Sequence, residues 1–352
     1  MTTNTKVCVT GASGYIASWI VKYLLENGCK VHATVRDKEN KAKIGQLIKL
    51  QDEFGDRLVL FNADLLQEGS FAKAVEGCEI MIHTASPFFV TRIKDPQKQL
   101  LDPAVMGTRN ALAAASQSGT VKRVVLTSSI AATHGSAADI QSIDGGVFTE
   151  KDWNTQSTIK TNPYSLSKTM AEKAAWDVTK SQSQWDLVVI NPGFVMGPSL
   201  SDRIDGTSNS IMLQFLNGTF RTGVPDIWFG LVDVRDVAKA HIAAAFRQTA
   251  SGRHLLVEGA YTFLQMGKIL KQAFPDLPLP KSKAPKFLLY LVGPFLGYKW
   301  SYINSNIGHV TRFDNSYSIS DLDISYIPME QTLIDHANQL IRDGRVKKRK
   351  SC

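Results

Sequence analysis

Short apolar runs alternate with longer amphipathic segments from residue 6 to residue 192 of this 352-residue chain. The runs are mainly apolar and are bounded by helices, which is typical of strands buried on both faces of a sheet. Helices separate them, for example at 103–117 and 164–180. The pattern predicts an α/β fold built on a doubly wound parallel sheet. The predicted strands lie at 6–10, 30–35, 58–65, 79–85, 123–129, 185–192 and 252–257.

The alternation loosens after Pro192. A polar, turn-rich stretch follows, then one more strand-to-helix unit at 232–247, and from about residue 262 the chain is helical and interrupted by prolines. We therefore predict a nucleotide-binding domain and a smaller, mostly helical substrate domain. The first comprises residues 5–192 plus 229–258, the second comprises residues 193–228 plus 259–341, and a basic tail occupies 342–352.

The charge balance argues against a nucleic-acid-binding surface. The formal net charge is +8, but residues 342–350 (RDGRVKKRK) hold six basic residues and one acid, which leaves about +3 for the rest. A body with so mild a charge gives no basic patch. We expect the tail to be a solvated end, with a membrane-surface or targeting role as the alternative.

The four cysteines, Cys8, Cys29, Cys78 and Cys352, show no C-x-x-C spacing, and no histidine cluster accompanies them. We expect reduced thiols and no metal site. The first residues show no secretory signal, and the longest apolar run, 287–297, is too short to span a bilayer. We predict a cytoplasmic protein without a transmembrane segment, a monomer or homodimer, in which 287–297 forms a core or lid helix.

A glycine-containing turn, VTGASGYIA, joins the first strand to the first helix. Gly11 can take the tight turn, Gly14 lets a phosphate approach the backbone, and Ala17 allows close packing of helix and sheet. The free N–H groups and the dipole of that helix favour a pyrophosphate. The position between strand and helix therefore predicts a dinucleotide site rather than a merely tight turn.

The end of the second strand indicates which dinucleotide binds. An NAD site usually has an acid there, but this chain has Val35 followed by Arg36. Arginine suits a 2′-phosphate, and Lys43 could add a second positive charge. The alternative is that Arg36 faces solvent and pairs with Asp37. We favour NADPH over NADH.

Other residues are predicted at the same sheet edge, where ligands of such folds bind. Asp64 follows the third strand and could accept hydrogen bonds from an adenine amine. The segment HTAS (83–86) ends the fourth strand and brings small side chains where a cofactor could pass closely. His83 itself is interpreted as a packing residue.

A serine pair, a tyrosine and a lysine suggest catalysis. The fifth strand ends in LTSSI, with Ser128 and Ser129, and the segment YSLSK places Tyr164 and Lys168 four residues apart in a predicted helix. Residues i and i+4 share a helix face. A nearby ammonium and a nicotinamide cation would lower the pKa of the tyrosine toward neutral-pH proton transfer. A serine hydroxyl could hydrogen-bond the same substrate oxygen.

Motifs throughout the chain resemble those of the extended short-chain dehydrogenases/reductases of the NAD-dependent epimerase/dehydratase superfamily. Within that family the chain is similar to the dihydroflavonol reductase, cinnamoyl-CoA reductase and yeast-type ketone/aldehyde reductase group. The late segment GHVTRFDNSYS…YIPMEQTLIDHANQLI resembles the C-terminal end of bacterial members. The other motifs are VTGASGYIAS, ATVRD, ADLLQEGSF, IHTASPF, GTRNAL, VVLTSSIAA, EKDWN, YSLSKTMAEKAAW, INPGFVMGP and DVRDVAKAH.

The resemblance implies a Rossmann fold and a role for each matching residue. Tyr164 would be the proton donor, Lys168 would modulate its pKa and bind the nicotinamide ribose, and Ser129 would polarise the carbonyl. The implied cofactor residues are Gly11, Ser13, Gly14, Tyr15 and Ile16 at the pyrophosphate, Arg36 and Lys43 at the 2′-phosphate, Asp64 and Leu65 at the adenine, and Pro192, Gly193 and Phe194 at the nicotinamide amide. Thr84, Ala85, Ser86 and Thr127 are expected along the cofactor's path.

The chain departs from the family at two places. The helix asparagine found in related families is Ala104 here, which puts a proton relay through that position in doubt. The tryptophan and cysteine that flank the tyrosine in cinnamoyl-CoA reductases are absent from KTNPYSLSK, which argues against a cinnamoyl-CoA substrate.

The leading hypothesis is NADPH-dependent reduction of an aldehyde or ketone, such as a dihydroflavonol-like or other apolar compound, to an alcohol. Phe88, Phe89 and segment 287–297 could line an apolar pocket or pack in the core. The alternatives are a nucleotide-sugar epimerase or dehydratase, a sterol-type dehydrogenase and an NADP-sensing regulator. Val35-Arg36 argues against the first, and the shortness of 287–297 argues against a membrane-anchored sterol enzyme. A regulator would not need Ser129, Tyr164 and Lys168 together.

Overall fold

Seven parallel strands form the central sheet, as the apolar runs predict. The computed structural model describes residues 4–86, 94–293 and 299–346. The strand order in the sheet is β3-β2-β1-β4-β5-β6-β9, and every neighbouring pair is parallel. Its strands are β1 (Lys6–Thr10), β2 (Lys30–Val35), β3 (Leu58–Asn62), β4 (Ile80–His83), β5 (Arg123–Thr127), β6 (Asp186–Pro192) and β9 (Gly252–Leu256). The predicted doubly wound α/β fold is confirmed.

Helices cover both faces of this sheet. Successive side chains of each strand point to opposite faces, and the apolar side chains on both faces are buried. Val7 and Val9 of β1 pack in one buried cluster with the helices α1, α2 and α7, whereas Cys8 packs in another with α3, α4 and α5. The helices of the chain are α1 (Tyr15–Glu26), α2 (Lys41–Phe54), α3 (Ala72–Val75), α4 (Asp102–Gln117), α5 (Pro163–Lys180), α6 (Thr207–Leu216), α7 (Val234–Phe246), α8 (Phe263–Ala273), α9 (Lys286–Val292), α10 (Trp300–Asn306), α11 (Ser316–Leu322) and α12 (Met329–Arg342).

A second sheet lies in the later part of the chain. Its strands are β7 (Phe194–Met196), β8 (Trp228–Asp233) and β10 (Gly259–Thr262), in the order β10-β8-β7. Helices α6, α8 and α12 pack with β8 around a separate buried cluster. Strand β8 thus pairs outside the central sheet, although its range was assigned to the nucleotide-binding domain. The two-domain division otherwise stays a prediction.

Three further expectations concern the cysteines, the apolar segment 287–297 and the absence of a transmembrane segment. Cys8, Cys29 and Cys78 are free and buried, as expected, whereas Cys352 lies outside the described residues. The described part of the apolar segment is α9, in which Phe287 and Leu291 are 68% and 67% exposed. The core alternative is therefore wrong, and the lid alternative stays a prediction. None of the helices in the described residues is both long and apolar enough to cross a membrane. Phe88, Phe89, residues 294–297 and most of the basic tail also lie outside the described residues.

Candidate active site

The turn between β1 and α1 has the geometry of a phosphate site. Gly11 adopts a positive φ of 65°, and an added Cβ would lie 2.9 Å from the Cα of Ala85, so no side chain fits between the two chain segments. Helix α1 begins directly after Gly14, with no acidic residue in its first turn and no side-chain cap from the described chain. Its first N–H groups and its dipole therefore suit an anion such as a pyrophosphate.

Neighbouring side chains hold this turn in place. The backbone N–H of Gly11 donates to Thr34 Oγ1 at 3.2 Å, and Gln46 Nε2 donates to the carbonyl of Ser13 at 3.0 Å. The hydroxyl of Tyr15 donates to the carbonyl of Gly197 at 2.5 Å, and Ile16 packs against the core. Tyr15 and Ile16 are thus available to a ligand chiefly through their backbone, whereas the contact of Ser13 uses its carbonyl and not its side chain.

Arg36 and Lys43 are exposed near the carboxyl end of β2. Val35, where an NAD site would have an acid, is a buried core residue. Among the residues that the structure describes, no ion pair joins Arg36 to Asp37, whose Oδ1 accepts from the N–H of Glu39 at 3.0 Å. The alternative of an Arg36–Asp37 pair therefore finds no support, and both cations remain available to a 2′-phosphate.

The predicted adenine residues form a tight turn after β3. Asp64 Oδ1 accepts from the N–H of Leu66 at 2.8 Å, so one carboxylate oxygen already stabilises the turn. The carbonyl of Leu65 accepts from Asn110 Nδ2 at 2.8 Å, and its side chain packs closely over Gly107.

Thr84, Ala85 and Ser86 lie beside the glycine turn, as the sequence predicts. The N–H groups of Thr84 and Ala85 both donate to Thr10 Oγ1 at 3.1 Å, which ties the end of β4 to the end of β1. Ser86 Oγ accepts from Lys168 Nζ at 3.2 Å. This small-residue segment therefore bridges the glycine turn and the helix that carries the tyrosine and lysine.

The remaining predicted cofactor residues end β5 and β6. The hydroxyl of Thr127 lies 2.7 Å from His241 Nε2, and His241 Nδ1 lies 2.7 Å from the carbonyl of Val237. A carbonyl only accepts, so Nδ1 carries the proton and Thr127 donates to Nε2. This leaves the Thr127 side chain engaged with α7.

Gly193 lies where β6 meets β7, between Pro192 and Phe194. An added Cβ would lie 2.3 Å from the carbonyl oxygen of Gly230, so only glycine fits. The N–H of Gly193 donates to the carbonyl of Leu256 at 2.9 Å. The ring of Phe194 lies 6.0 Å from that of Phe229.

Ser129, Tyr164 and Lys168 meet at the carboxyl edge of the sheet. Helix α5 begins with Pro163, and Asn162 caps it by accepting from the N–H of Ser165. Tyr164 lies in the first turn and hydrogen-bonds the side chain of Ser129 at the end of β5. Lys168, one turn later, is 9% exposed and reaches Ser86 at the end of β4.

The protonation states of this set are fixed mainly by burial. Burial raises the pKa of Tyr164 to about 12, and the hydrogen bond from Ser129 opposes it only partly. The expected lowering of the Tyr164 pKa is therefore wrong for the protein by itself, because desolvation of the phenolate is the larger effect. Burial lowers the pKa of Lys168 to about 8, while the charge of Glu172 raises it. At neutral pH the tyrosine is protonated and the lysine is mostly an ammonium.

Sequence reasoning missed a buried ion pair beneath this set. Glu172 is fully buried, and its Oε1 accepts from Arg253 Nε at 2.5 Å. Its Oε2 accepts from Ser128 Oγ at 2.5 Å and from Asn191 Nδ2 at 2.8 Å. Breaking such a pair typically costs about 3–5 kcal/mol because a buried charge is left uncompensated. The available signal was the spacing: Tyr164, Lys168 and Glu172 follow one another at i, i+4 and i+8.

His83 packs at the end of β4, as interpreted from the sequence. Its Nδ1 lies 2.8 Å from Thr10 Oγ1, while its buried Nε2 has no partner among the described residues. Burial and the charge of Lys168 lower its pKa to about 3, so the ring is neutral.

Comparison with known proteins matches residues 7–257 to the model of the NAD dependent epimerase/dehydratase family. Among curated relatives, cinnamoyl-CoA reductase CAD2 of Medicago truncatula is 46% identical over 79% of this chain and 83% of its own. Tetraketide alpha-pyrone reductase 1 of Arabidopsis thaliana is 37% identical over 78% of this chain and 83% of its own.

Among solved structures, the yeast methylglyoxal/isovaleraldehyde reductase Gre2 complexed with NADPH is similar, with a TM-score of 0.78 and 29% identity. The alignment covers 97% of this chain and 100% of that one. The curated relatives are plant proteins, so the expected bacterial-type affiliation is not supported. These relatives are reductases, which supports an oxidoreductase.

Proposed function

The chain belongs to the NAD dependent epimerase/dehydratase family, and from this premise we propose that it is an NADPH-dependent reductase that converts an aldehyde or ketone to an alcohol. The observation that carries the proposal is the meeting of Ser129, Tyr164 and Lys168 beside the Gly11 turn. One edge of the sheet thus holds a proton donor, a cation and a dinucleotide-type turn.

The cofactor preference rests on charge and shape. The tight Gly11 turn and the uncapped start of α1 fit a pyrophosphate. The buried Val35 offers no acceptor for a ribose hydroxyl, whereas Arg36 and Lys43 present two exposed cations nearby. These residues favour a 2′-phosphate, and the similar yeast reductase was solved with NADPH. NADPH, when bound, supplies the hydride.

The protein's own residues would supply orientation and the proton. The Tyr164 hydroxyl, protonated at neutral pH, would donate its proton to the substrate oxygen. Ser129 would donate a hydrogen bond to the same oxygen and hold the carbonyl in place. The Lys168 ammonium would stabilise the phenolate left on Tyr164, because an opposite charge within about 4–6 Å favours the ionised form.

The sequence around Tyr164 and the names of the similar proteins suggest different substrate classes. The relatives include a cinnamoyl-CoA reductase, a tetraketide pyrone reductase and a methylglyoxal/isovaleraldehyde reductase. The segment KTNPYSLSK argues against cinnamoyl-CoA, so we propose a smaller carbonyl compound without the thioester. Thioesters belong in the test because of the 46% identity to the first of these relatives.

The test is a substrate panel in which reduction is measured as the loss of NADPH absorbance and the UDP-sugars are also analysed by chromatography. It contains aliphatic and aromatic aldehydes, diketones, dihydroflavonols, cinnamoyl-CoA and UDP-sugars. We expect turnover with at least one aldehyde or ketone and none with UDP-sugars. Conversion of a UDP-sugar without net NADPH oxidation would instead establish an epimerase or dehydratase.

A further inference from the structure

Lys168 has one negatively charged neighbour among the described residues that line the small cleft beside it. Glu172 lies one helical turn further along α5, so both side chains point to the same face, and both line the cleft. From β4, His83 faces this space as a neutral ring. From α4 the lining residue is Thr108, which is uncharged.

The Glu172 carboxylate is also linked to both serines that end β5, to Ser128 directly and to Ser129 through Asn191. Ser128 Oγ donates to Glu172 Oε2 at 2.5 Å. Asn191 Nδ2 lies 2.8 Å from that oxygen and 3.2 Å from the carbonyl oxygen of Ser129. The backbone that carries the Ser129 hydroxyl is therefore linked to Glu172 through two side chains, those of Ser128 and Asn191.

Arg253 pairs with Glu172 from the β9 side, with Nε 2.5 Å from Oε1. Its guanidinium also donates to the carbonyls of Glu150 and Asp152 at 2.7 and 2.6 Å and stacks on Trp153 at 3.8 Å. The Arg253 guanidinium therefore contacts both Glu172 and the segment 150–153.

We propose that Glu172 is a positioning residue: its carboxylate provides the buried negative charge that faces the Lys168 ammonium, and it anchors the backbone that carries Ser129. The proposal deepens the reductase function and rests on it for the role of Lys168. Glu172 touches neither substrate nor cofactor in this account and acts through the two residues that do.

Removing the charge changes the titration of Lys168 in a defined direction. The pKa of Lys168 is about 8 because burial outweighs the opposing effect of Glu172. Its unfolded pKa is about 10.4, so unfolding takes up a proton between these values and the free energy of unfolding rises with pH there. We call the pH range of this uptake the proton-uptake window. In Glu172→Gln it should begin at least about one pH unit lower, since a nearby charge shifts a pKa by about 1–3 units.

The experiment is urea unfolding from about pH 6 to pH 10 for the wild type, Glu172→Gln, Lys168→Met and the double variant. We expect the Glu172→Gln substitution to shift the proton-uptake window only where Lys168 is present. An identical shift in the Lys168→Met background, or no shift in either, would overturn the charge part of the proposal. Unfolding needs neither substrate nor cofactor, so an inactive wild type would count against the proposed function alone.

Glu172→Asp keeps the charge but shortens the side chain, and it tests both parts if Glu172→Gln does not fold. We expect its proton-uptake window to match that of the wild type. Its kcat should fall at least about tenfold with KM for NADPH unchanged, because Ser129 loses its anchor. A wild-type kcat would overturn the anchoring role, and a window shifted by a full pH unit would overturn the charge role.

Discussion

Lys168 Nζ donates a hydrogen bond to Ser86 Oγ at 3.2 Å, although the two residues are 82 positions apart in the chain. The contact joins helix α5, which carries the proposed proton donor Tyr164, to the segment after β4 that packs against the glycine turn. Because Ala85 lies against Gly11, the lysine stands beside the place proposed for the cofactor. The predictions below test the parts of this arrangement separately.

Tyr164→Phe should lower kcat by about 100- to 10,000-fold, the usual contribution of a general acid. NADPH affinity should stay near that of the wild type, because the ring remains. Steady-state kinetics and a fluorescence titration with NADPH measure the two quantities. The matched control is Tyr317→Phe, which removes a hydroxyl that donates to the carbonyl of Ser251 just before β9. Activity that survives in Tyr164→Phe would refute the proton-donor role.

Arg36→Ala should weaken NADPH binding by about 10- to 100-fold, since hydrogen bonds to charged groups are worth about 1.5–3 kcal/mol. NADH lacks the 2′-phosphate and should bind almost as before. The control is Lys30→Ala, an exposed cation at the opposite end of the same strand. Isothermal titration with both cofactors gives the comparison, and equal losses would remove the argument for NADPH.

Gly11→Ala should destabilise the protein more than Gly69→Ala. Both glycines have positive φ, at 65° and 74°, but an added Cβ meets Ala85 at Gly11 and no atom within 4 Å at Gly69. The backbone cost alone is about 1–2 kcal/mol, and the clash adds to it only at Gly11. Urea unfolding of both variants measures the difference. Equal costs would show that the contact with Ala85 is relaxed easily.

His336 should make the protein sensitive to acid. Its Nδ1 accepts from the N–H of Gly197 at 3.3 Å, and its Nε2 lies 2.8 Å from Asn209 Oδ1. Burial lowers its pKa to about 3, well below its unfolded value of about 6.5. The unfolded state therefore binds the extra proton, so its contribution to stability is full above pH 6.5 and is lost toward pH 3, at about 1.4 kcal/mol per pH unit.

His336→Gln should remove this proton uptake, and the slope of unfolding free energy against pH should flatten by about one proton between pH 6 and pH 4. His309→Gln, at a half-exposed position, serves as the control. The slope is obtained from urea unfolding at several pH values. An unchanged slope in His336→Gln would mean that the ring is protonated in the folded protein.

The central sheet was predictable because its first six strands, β1 to β6, are short and mainly apolar runs, and such runs need cover on both faces. Tyr164 and Lys168 were predictable for a similar reason, since the i, i+4 spacing alone places them on one helix face. The same rule extends to Glu172. Its partner Arg253 could not be found this way, because it lies 81 positions further along the chain and their contact depends on the pairing of β9 with β6.

The exposure of the apolar segment after Lys286 was not predictable from the sequence. A short run of apolar residues carries no periodicity, so nothing in it distinguishes a buried helix from an exposed one. Helix α9 leaves Phe287 and Leu291 exposed. Strand β8 was likewise recognisable as a strand, but which sheet it joins is decided by pairing with β7 and β10.

The most direct test of the reductase function is the transfer of deuterium from NADPH that carries deuterium at both C4 positions of the nicotinamide. The purified protein is incubated with the labelled cofactor and an aldehyde or ketone that the panel identifies, and the product is analysed by mass spectrometry. The account predicts an alcohol with one deuterium on the carbinol carbon, formed by the wild type and lost with Tyr164→Phe. An unlabelled product, or a product formed equally by both proteins, would contradict it.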